Sequence, residues 1–336
     1  MSCLIRPAVL FLALAVSAAP AQTRPGEVSY HGLCDASAAI ALGPEHFVVA
    51  DDEHDILTVY RLGKRDPTAS LDLTDYLGNR KKGKASEADL EGAARIGDRI
   101  YWISSHGRTS KGKSAASRHR FFATDIIGTA TGPSLQEPTT PPYSRVLGDL
   151  IADRRFAVLA KASELVISPE APGGVNIEGL AATRDGQLLI GFRNPLPENK
   201  ALLIPLKNPA EVIDKAASPI FGDSVLLDLG GRGIRSIEFI APGFLIVAGP
   251  SGSGKHNSKG FALYSWSGQA ADAPQRLKAI DFGTLRPEAL FAIPGKQAIY
   301  VLSDDGDEKV DGVPCKELPA TRQSFRGLAL DLLQRP

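Results

Sequence analysis

Five charged residues stand at the start of five similar segments of this chain, and their side chains offer its clearest chemistry. Each segment continues with small apolar residues, a tight turn and a second apolar run. The leading residues are Asp35, Glu91, Glu178, Arg235 and Glu288. Carboxylate oxygens are the ligands that Ca²⁺ and Mg²⁺ take in proteins, whereas arginine binds phosphate or carboxylate through paired hydrogen bonds. The five residues therefore suit a metal ion, an anion or both.

The two apolar runs of each segment are predicted to form a β-hairpin. Turn residues such as Asp185-Gly186 separate the runs, because Gly and Asp tolerate the backbone angles of tight turns. In a hairpin the start of the first strand lies beside the end of the second strand. The residues that follow the second runs therefore join the candidate site. These added candidates are Asp52, His106, Arg193 and Asp305.

The recurrence of the hairpins predicts the fold. The segments begin 56, 87, 57 and 53 residues apart, and each has room for four strands. In the third segment these are predicted over 179–183, 187–192, 201–206 and 224–229. Four-stranded units repeated in a ring are the blades of a β-propeller. We therefore predict an all-β domain over 22–336, a β-propeller of five four-stranded blades with the candidate residues at one end of the ring.

The long second interval predicts one insertion, over about 132–175. Gly132–Tyr143 is rich in Pro and Thr and is expected to be a loop. Apolar residues at helical spacing predict a helix over Val146–Leu165. A Pro/Gly loop over Ser168–Val175 then leads to the third segment. An incomplete sixth blade in this stretch is the alternative.

The N-terminus predicts export, and the two ends of the domain are expected to meet. Residues 1–21 have the charged start, apolar centre and small-residue cleavage site of a signal peptide. This predicts a periplasmic or secreted protein with no transmembrane span after cleavage. Glu27–His31 is predicted to supply the outer strand of the last blade. In an oxidising compartment, Cys34 and Cys315 would then form a disulfide between the first and last blades; two unrelated buried thiols are the alternative.

The sequence lacks the motifs that are typical of several functional classes. The formal net charge is zero, whereas nucleic-acid binding usually needs a basic stripe. The six histidines include no H-x-x-x-H or H-E-x-x-H spacing of a zinc hydrolase, and no G-x-S-x-G elbow occurs. The glycine loop Gly249–His256 departs from the phosphate-loop pattern, because His256 stands where Ser or Thr is needed. We expect a monomer whose partner is a small ligand or a component of the cell envelope.

Several stretches together resemble one bacterial family. They are CDASAAIAL with FVVADDE at 34–53, WISSHGRTSKGK at 102–113, HRFFATDI at 119–126, NIEGLAATRDGQLLIGFRNPL at 176–196 and FALYSW at 261–266. The family is the domain of unknown function 3616. The resemblance covers nearly the whole chain after the predicted signal, and it implies a propeller-like all-β fold with no assigned activity. The motif E-G-L-A is also similar to exported esterase-like phytases, from which no catalytic residue carries over.

Two interpretations of the charged cluster stay open. The acids at the blade starts either cap backbone amides and pair with neighbouring arginines, or they hold a ligand. In a ligand site, Arg193 and Arg235 would bind an anion. The metal ligands for Ca²⁺ or Mg²⁺ would be Glu91, Glu178, Glu288 and Asp52. The expected function is binding of a small ligand, metal ion or envelope component at the central mouth. The alternatives are a metal-dependent phosphoester or ester hydrolase and a non-catalytic scaffold for protein interactions.

Overall fold

Five four-stranded antiparallel sheets make up the computed structural model, which describes residues 24–81, 84–129, 132–252 and 259–332. They confirm the predicted β-propeller of five blades. The predicted signal peptide and the centre of the glycine loop after Gly249 lie outside the described residues.

The first two blades follow the chain from the inner strand to the outer strand. An initial strand, β1 (Glu27–His31), belongs to the last blade. Blade 1 contains β2 (Ala36–Ala41), β3 (His46–Asp51), β4 (Ile56–Arg61) and β5 (Pro67–Asp72). A short hairpin of β6 (Arg80–Lys81) and β7 (Lys84–Ala85) follows. Blade 2 contains β8 (Leu90–Ile96), β9 (Arg99–Ser104), β10 (Phe121–Thr129) and β11 (Gly132–Gln136).

A helical segment separates blade 2 from blade 3. It consists of α1 (Val146–Ala152), a 3-10 turn over Arg154–Phe156, and α2 (Ala157–Glu164). Blade 3 contains β12 (Asn176–Ala182), β13 (Leu188–Asn194), β14 (Ala201–Leu206) and β15 (Val225–Leu227), with α3 (Pro209–Lys215) between the last two strands. In the described ranges, no helix has both the length and the apolarity to cross a bilayer.

Blades 4 and 5 complete the ring. Blade 4 contains β16 (Gly233–Ile240), β17 (Gly243–Gly249), β18 (Ala262–Trp266) and β19 (Gln275–Arg276). Blade 5 begins with β20 (Pro287–Ala292) and β21 (Ala298–Ser303), continues through a hairpin of β22 (Lys309–Val310) and β23 (Val313–Pro314), and reaches β24 (Ser324–Asp331). Its outer strand is β1, which pairs antiparallel with β24 from Glu27 opposite Leu328 to His31 opposite Ser324. The N-terminal strand therefore closes the ring as predicted.

A disulfide reinforces this closure and confirms the predicted pairing. It joins Cys34, just before blade 1, to Cys315 in the last blade, across 281 residues of sequence. The interface between blades 5 and 1 also stacks aromatic rings, with the Phe47 and Phe291 centroids 5.2 Å apart.

Apolar cores between neighbouring blades hold the propeller together. Each of the five largest clusters joins the facing sheets of two consecutive blades, as where Val48 of blade 1 shares a core with Trp102 of blade 2. Burying one such side chain contributes about 1.5–3 kcal/mol. The inner strands converge on the axis and need small residues. A Cβ at Gly92, for example, would lie 2.8 Å from Ile103 and 3.0 Å from Leu180 of the next blade.

The structure corrects the predicted insertion in two places. Gly132–Gln136 was expected to be part of a loop, but it is β11, the outer strand of blade 2. The stretch 146–165 is helical but broken, because Asp153 is extended and its side chain accepts a hydrogen bond from the Arg155 amide. Within 137–175, which the structure describes throughout, β-pairing is limited to the isolated bridge between Tyr143 and Phe121. This stretch therefore forms no sixth blade.

Candidate functional site at the mouth of the propeller

A β-bulge near the start of every inner strand sets the charged side chains at one end of the ring. In each inner strand a register shift leaves one residue unpaired, and these are Ser37, Glu91, Glu178, Arg235 and Glu288. A second shift in blade 3 leaves Arg193 of β13 unpaired. Bulges re-aim side chains and often lie beside functional sites. The four charged bulge residues line one cavity. The predicted equivalence of Asp35 with Glu91 is wrong by two residues, because Ser37 takes the bulge position in blade 1 and Asp35 corresponds to Asp89.

The ends of the second strands of blades 1, 3 and 5 supply further side chains of the mouth. The residue before the bulge pairs with Asp51 in blade 1 and with Ser303 in blade 5. The next residues along the second strands, Asp52 and Asp304, line the cavity, as does Arg193 at the same place in blade 3. In blades 3 and 5, one bulge residue and one residue near the end of the second strand therefore both reach the cavity.

Two predicted candidates, His106 and Asp305, do not line this cavity. Successive side chains of an extended chain point to opposite sides, so a residue one place beyond the lining position turns away. Asp305 accepts a hydrogen bond from Ser303 Oγ at 2.7 Å and pairs with Arg326 at 2.6 Å. His106 donates from Nδ1 to the Ser104 carbonyl at 2.8 Å and lines a separate cavity. Asp304 thus takes the place predicted for Asp305.

The seven other candidates share one cavity of about 600 Å³. They are Asp35, Asp52, Glu91, Glu178, Arg193, Arg235 and Glu288. Among the described residues, eleven acidic and five basic side chains line it. Because acids outnumber bases, the distribution of the ion pairs decides where negative charge is left uncompensated.

Blades 3 to 5 form the ion-paired half of the mouth, which consists of Glu178, Arg193, Arg235 and Glu288. Glu178 Oε1 lies 2.9 Å from Arg193, and its Oε2 lies 2.9 Å from Arg235 Nε. Arg235 also pairs with Glu288, and Arg193 with Glu170 at 3.0 Å. This chain of buried pairs joins three blades. The interpretation of blade-start acids as partners of arginines is correct for this half.

Blades 1 and 2 form the acidic half, which consists of Asp35, Asp52, Asp89 and Glu91. Oxygens of Asp52, Asp89 and Glu91 lie within 4.8 Å of one another, and so do those of Asp35, Asp51 and Asp52. Asp52 belongs to both groups, and its Oδ1 is buried without a hydrogen-bond partner.

Basic side chains compensate the acidic half only at its edge. Asp89 pairs with Arg118 at 3.0 Å and accepts a hydrogen bond from Ser105. In the part of the chain that the structure describes, no basic nitrogen lies within 4.0 Å of the carboxylates of Asp35, Asp52 and Glu91.

Burial and mutual repulsion raise the pKa values throughout the acidic half. Burial raises the pKa of Asp35 to about 8, with further repulsion from Asp304 and Asp51. The pKa values of Asp52 and Glu91 rise well above the usual range, first through burial and then through neighbouring carboxylates. Burial also raises the pKa of Asp89 to about 6, against the opposing effect of Arg118. A bound cation would remove the repulsion and favour the charged forms.

The residues of the mouth that the sequence candidates omitted include Asp89 and Asn176. Asp89 and Asn176 stand two places before a bulge residue, and the Asn176 side chain donates to Glu178 Oε1 at 2.7 Å. Aligning the segments on the bulge would have found both, because Asp35 occupies the same place in blade 1. Lys316, which follows the disulfide-bonded Cys315 and also lines the cavity, has no counterpart in the repeat and gave no signal.

Comparison with known families agrees with the sequence motifs. The family model described as "Protein of unknown function (DUF3616)" matches residues 150–299. That stretch is therefore similar to DUF3616. The match begins in the helical segment and ends in blade 5, and it includes the whole ion-paired half of the mouth. No curated protein sequence matches this chain.

Solved structures similar to this chain include the following two. One is a putative oxidoreductase (glucose dehydrogenase) from Thermus thermophilus, at 13% identity and a TM-score of 0.44, covering 91% of this chain and 100% of that chain. The other is the PQQ-bound aldose sugar dehydrogenase from Streptomyces coelicolor, at 13% identity and a TM-score of 0.42, covering 93% of this chain and 100% of that chain. Likenesses at this level carry no argument about activity or cofactor.

Proposed function

We propose that this propeller binds a divalent cation, Ca²⁺, in the acidic half of its mouth, and that the cation holds a small oxygen-bearing ligand in the cavity. The observation that carries the proposal is Asp52. Its Oδ1 is buried without a hydrogen-bond partner. Oxygens of its carboxylate, of Asp89 and of Glu91 lie within 4.8 Å of one another. A buried polar atom without a hydrogen bond is rare in native structures and calls for an explanation.

The donor set favours calcium over magnesium. Ca²⁺ accepts about six to eight oxygen ligands in flexible geometry, whereas Mg²⁺ demands near-octahedral geometry at shorter distances. The carboxylates come from two blades, so their spacing is fixed by blade packing. Three carboxylates leave coordination positions for water and for ligand oxygens. The Cys34–Cys315 disulfide fits an extracellular protein, a setting in which calcium sites bind with about 10⁻⁴–10⁻³ M affinity.

The arginines of the ion-paired half already have carboxylate partners, so we expect a bound cation, rather than an arginine, to contact the ligand. Arg193 pairs with Glu178 and Glu170, and Arg235 pairs with Glu178 and Glu288. A phosphoester hydrolase of the kind considered from the sequence needs an arginine free to bind the anion. The geometry therefore favours ligand binding over hydrolysis. The cavity of about 600 Å³ has room for a small molecule, since ligand pockets span about 300–1,000 Å³.

Calorimetric titration of chelator-treated protein tests the proposal. We expect Ca²⁺ to bind with a 1:1 stoichiometry and more tightly than Mg²⁺. Asp52→Asn should abolish the binding, because it removes the carboxylate shared by both groups. Asp307→Asn is the matched control, since Asp307 lines the same cavity but its side chain is 65% exposed and pairs with Lys316. We expect this control to bind Ca²⁺ like the unmodified protein.

Two results would contradict the proposal. One is the absence of Ca²⁺ binding by the unmodified protein, and the other is unchanged binding by Asp52→Asn. A parallel assay with p-nitrophenyl phosphate separates binding from hydrolysis. Calcium-dependent turnover that Asp52→Asn abolishes would favour the hydrolase, whereas binding without turnover supports a binding protein.

A further inference from the structure

A second cavity lies between the helical segment and the loop that follows β9. It has a volume of about 220 Å³. Its walls are mostly aliphatic, with side chains that include Leu147, Ile151, Ala162, Leu165, Ile167 and Val175. Of the described residues, Pro169 alone lines both this cavity and the mouth. The second cavity is therefore a separate space with different chemistry.

His106 is the buried polar group of this cavity. Its side chain lines the space, and the residue is only 2% exposed. Its φ of 53° lies in the left-handed region, which residues other than glycine seldom adopt. Backbone strain of this kind persists where the surrounding structure imposes it, often at functional sites.

The hydrogen bond between His106 and Ser104 determines which ring nitrogen of His106 can accept a hydrogen bond from a ligand. A carbonyl only accepts, so the contact with Ser104 places the proton on Nδ1 and leaves a lone pair on Nε2. That Nε2 is buried without a hydrogen-bond partner. Burial and the neighbouring His119 lower the pKa of His106 to about 3, so the ring is neutral. His106 Nε2 is therefore a buried hydrogen-bond acceptor at this cavity that no group of the described chain satisfies.

We propose that this cavity binds a small neutral molecule with an apolar body and one hydroxyl or N–H group, which donates a hydrogen bond to His106 Nε2. The aliphatic side chains of the walls suit the apolar body, and the buried Nε2 acceptor selects a ligand with a donor. An apolar cavity of about 150 Å³ accommodates benzene in another protein, so a molecule of the size of phenol fits here.

Nε2 is buried, so a ligand reaches it only if a neighbouring side chain moves, and His119 is one such neighbour. The two imidazole rings pack with their centroids 5.2 Å apart, and solvent does not reach Nε2 in this conformation. His119 is half-buried and also lines the cavity, so rotation of its ring can open the path. Metal binding explains the arrangement less well, because the groups of three metal-ligating side chains found among the described residues do not include His106.

Titration with phenol and with anisole tests the proposal. The two molecules have similar apolar bodies, but only phenol has a donor. We expect phenol to bind at least about tenfold more tightly than anisole, because only phenol satisfies the buried acceptor. Equal affinities, or no phenol binding at millimolar concentration, would overturn the proposal.

Variants and NMR test whether His106 Nε2 is the hydrogen-bond acceptor for the ligand. His106→Phe retains a ring and removes Nε2, so it should lose the preference for phenol, whereas the surface variant His31→Phe should keep it. If His106→Phe fails to fold, ¹⁵N NMR of the unmodified protein gives the answer. We expect phenol, and not anisole, to shift the His106 Nε2 resonance. A preference that persists in His106→Phe, or an unmoved Nε2 resonance, would refute the assignment.

Discussion

At the scale of single residues, one buried glutamate of the mouth, Glu178, compensates the charge of two arginines. Glu178 occupies the bulge of β12 and is the shared partner of two arginines. Its side chain is 2% exposed, and those of Arg193 and Arg235 are 9% and 6% exposed. Loss of the carboxylate would leave two buried guanidinium groups with fewer partners. This would lower the free energy of unfolding, because the folded state has already lost the hydration of these groups.

Glu178→Gln is therefore expected to lower the free energy of unfolding by about 3–5 kcal/mol. Denaturation by urea measures the change. Glu45→Gln is the control, because Glu45 also pairs with an arginine but is 59% exposed, and it should cost no more than about 1 kcal/mol. Similar losses in the two variants would show that burial does not set the value of the Glu178 pairs.

The neutral buried His106 predicts a dependence of stability on pH. Its pKa is lowered to about 3 in the folded protein, while in the unfolded chain it is about 6.5. Between these values the unfolded state binds the proton and the folded state does not, so stability falls as the pH decreases below about 6.5. His106 alone should contribute a loss of about 1.4 kcal/mol per pH unit.

Urea denaturation between pH 7 and about pH 4.5 tests this prediction. The loss of stability on acidification should be smaller in His106→Phe than in the unmodified protein, since the variant lacks the titrating group. His31→Phe is the control, because His31 is exposed at its side chain and pairs with Asp66 on the surface. An identical acid dependence in all three proteins would contradict a buried neutral His106.

At the scale of elements, the hairpin is the unit that the sequence defines best. The predicted strand over 201–206 coincides with β14, and Glu27–His31 is β1. Alternating apolar residues and Gly or Asp turns specify these strands locally. The bulges are different, because they are a departure from regular pairing that local composition does not reveal. The shift between Asp35 and Ser37, and the replacement of Asp305 by Asp304 in the mouth, both follow from that limit.

The closure of the ring combines a strand and a disulfide, and its energetic contribution is testable. The double variant Cys34→Ser/Cys315→Ser keeps β1 paired with β24 but removes the covalent link. We expect a loss of about 2–5 kcal/mol in the free energy of unfolding, because the disulfide restricts a long loop in the unfolded chain. Reduction of the unmodified protein should give the same loss. No change in either experiment would mean that β1 alone closes the ring.

At the scale of the whole molecule, the mouth divides charge between two groups of blades. Blades 3 to 5 neutralise their acids with Arg193 and Arg235, whereas Asp35, Asp52 and Glu91 of blades 1 and 2 have no basic partner at ion-pair distance among the described residues. The sequence indicated a charged ring and its one cationic member, Arg235. It did not reveal this division, because the pairs of Arg235 with Glu178 and Glu288 join residues of different blades, which only the circular arrangement brings together.

The most direct test of the cation site is anomalous diffraction from crystals of the protein grown with Ca²⁺. The proposed function predicts one anomalous peak in the acidic half, within coordination distance of the Asp52 and Glu91 carboxylates, at about 2.3–2.6 Å. The peak should be absent from crystals of Asp52→Asn grown in the same way. The absence of a peak in the acidic half, or a peak between Glu178 and Glu288 instead, would contradict the proposed calcium site.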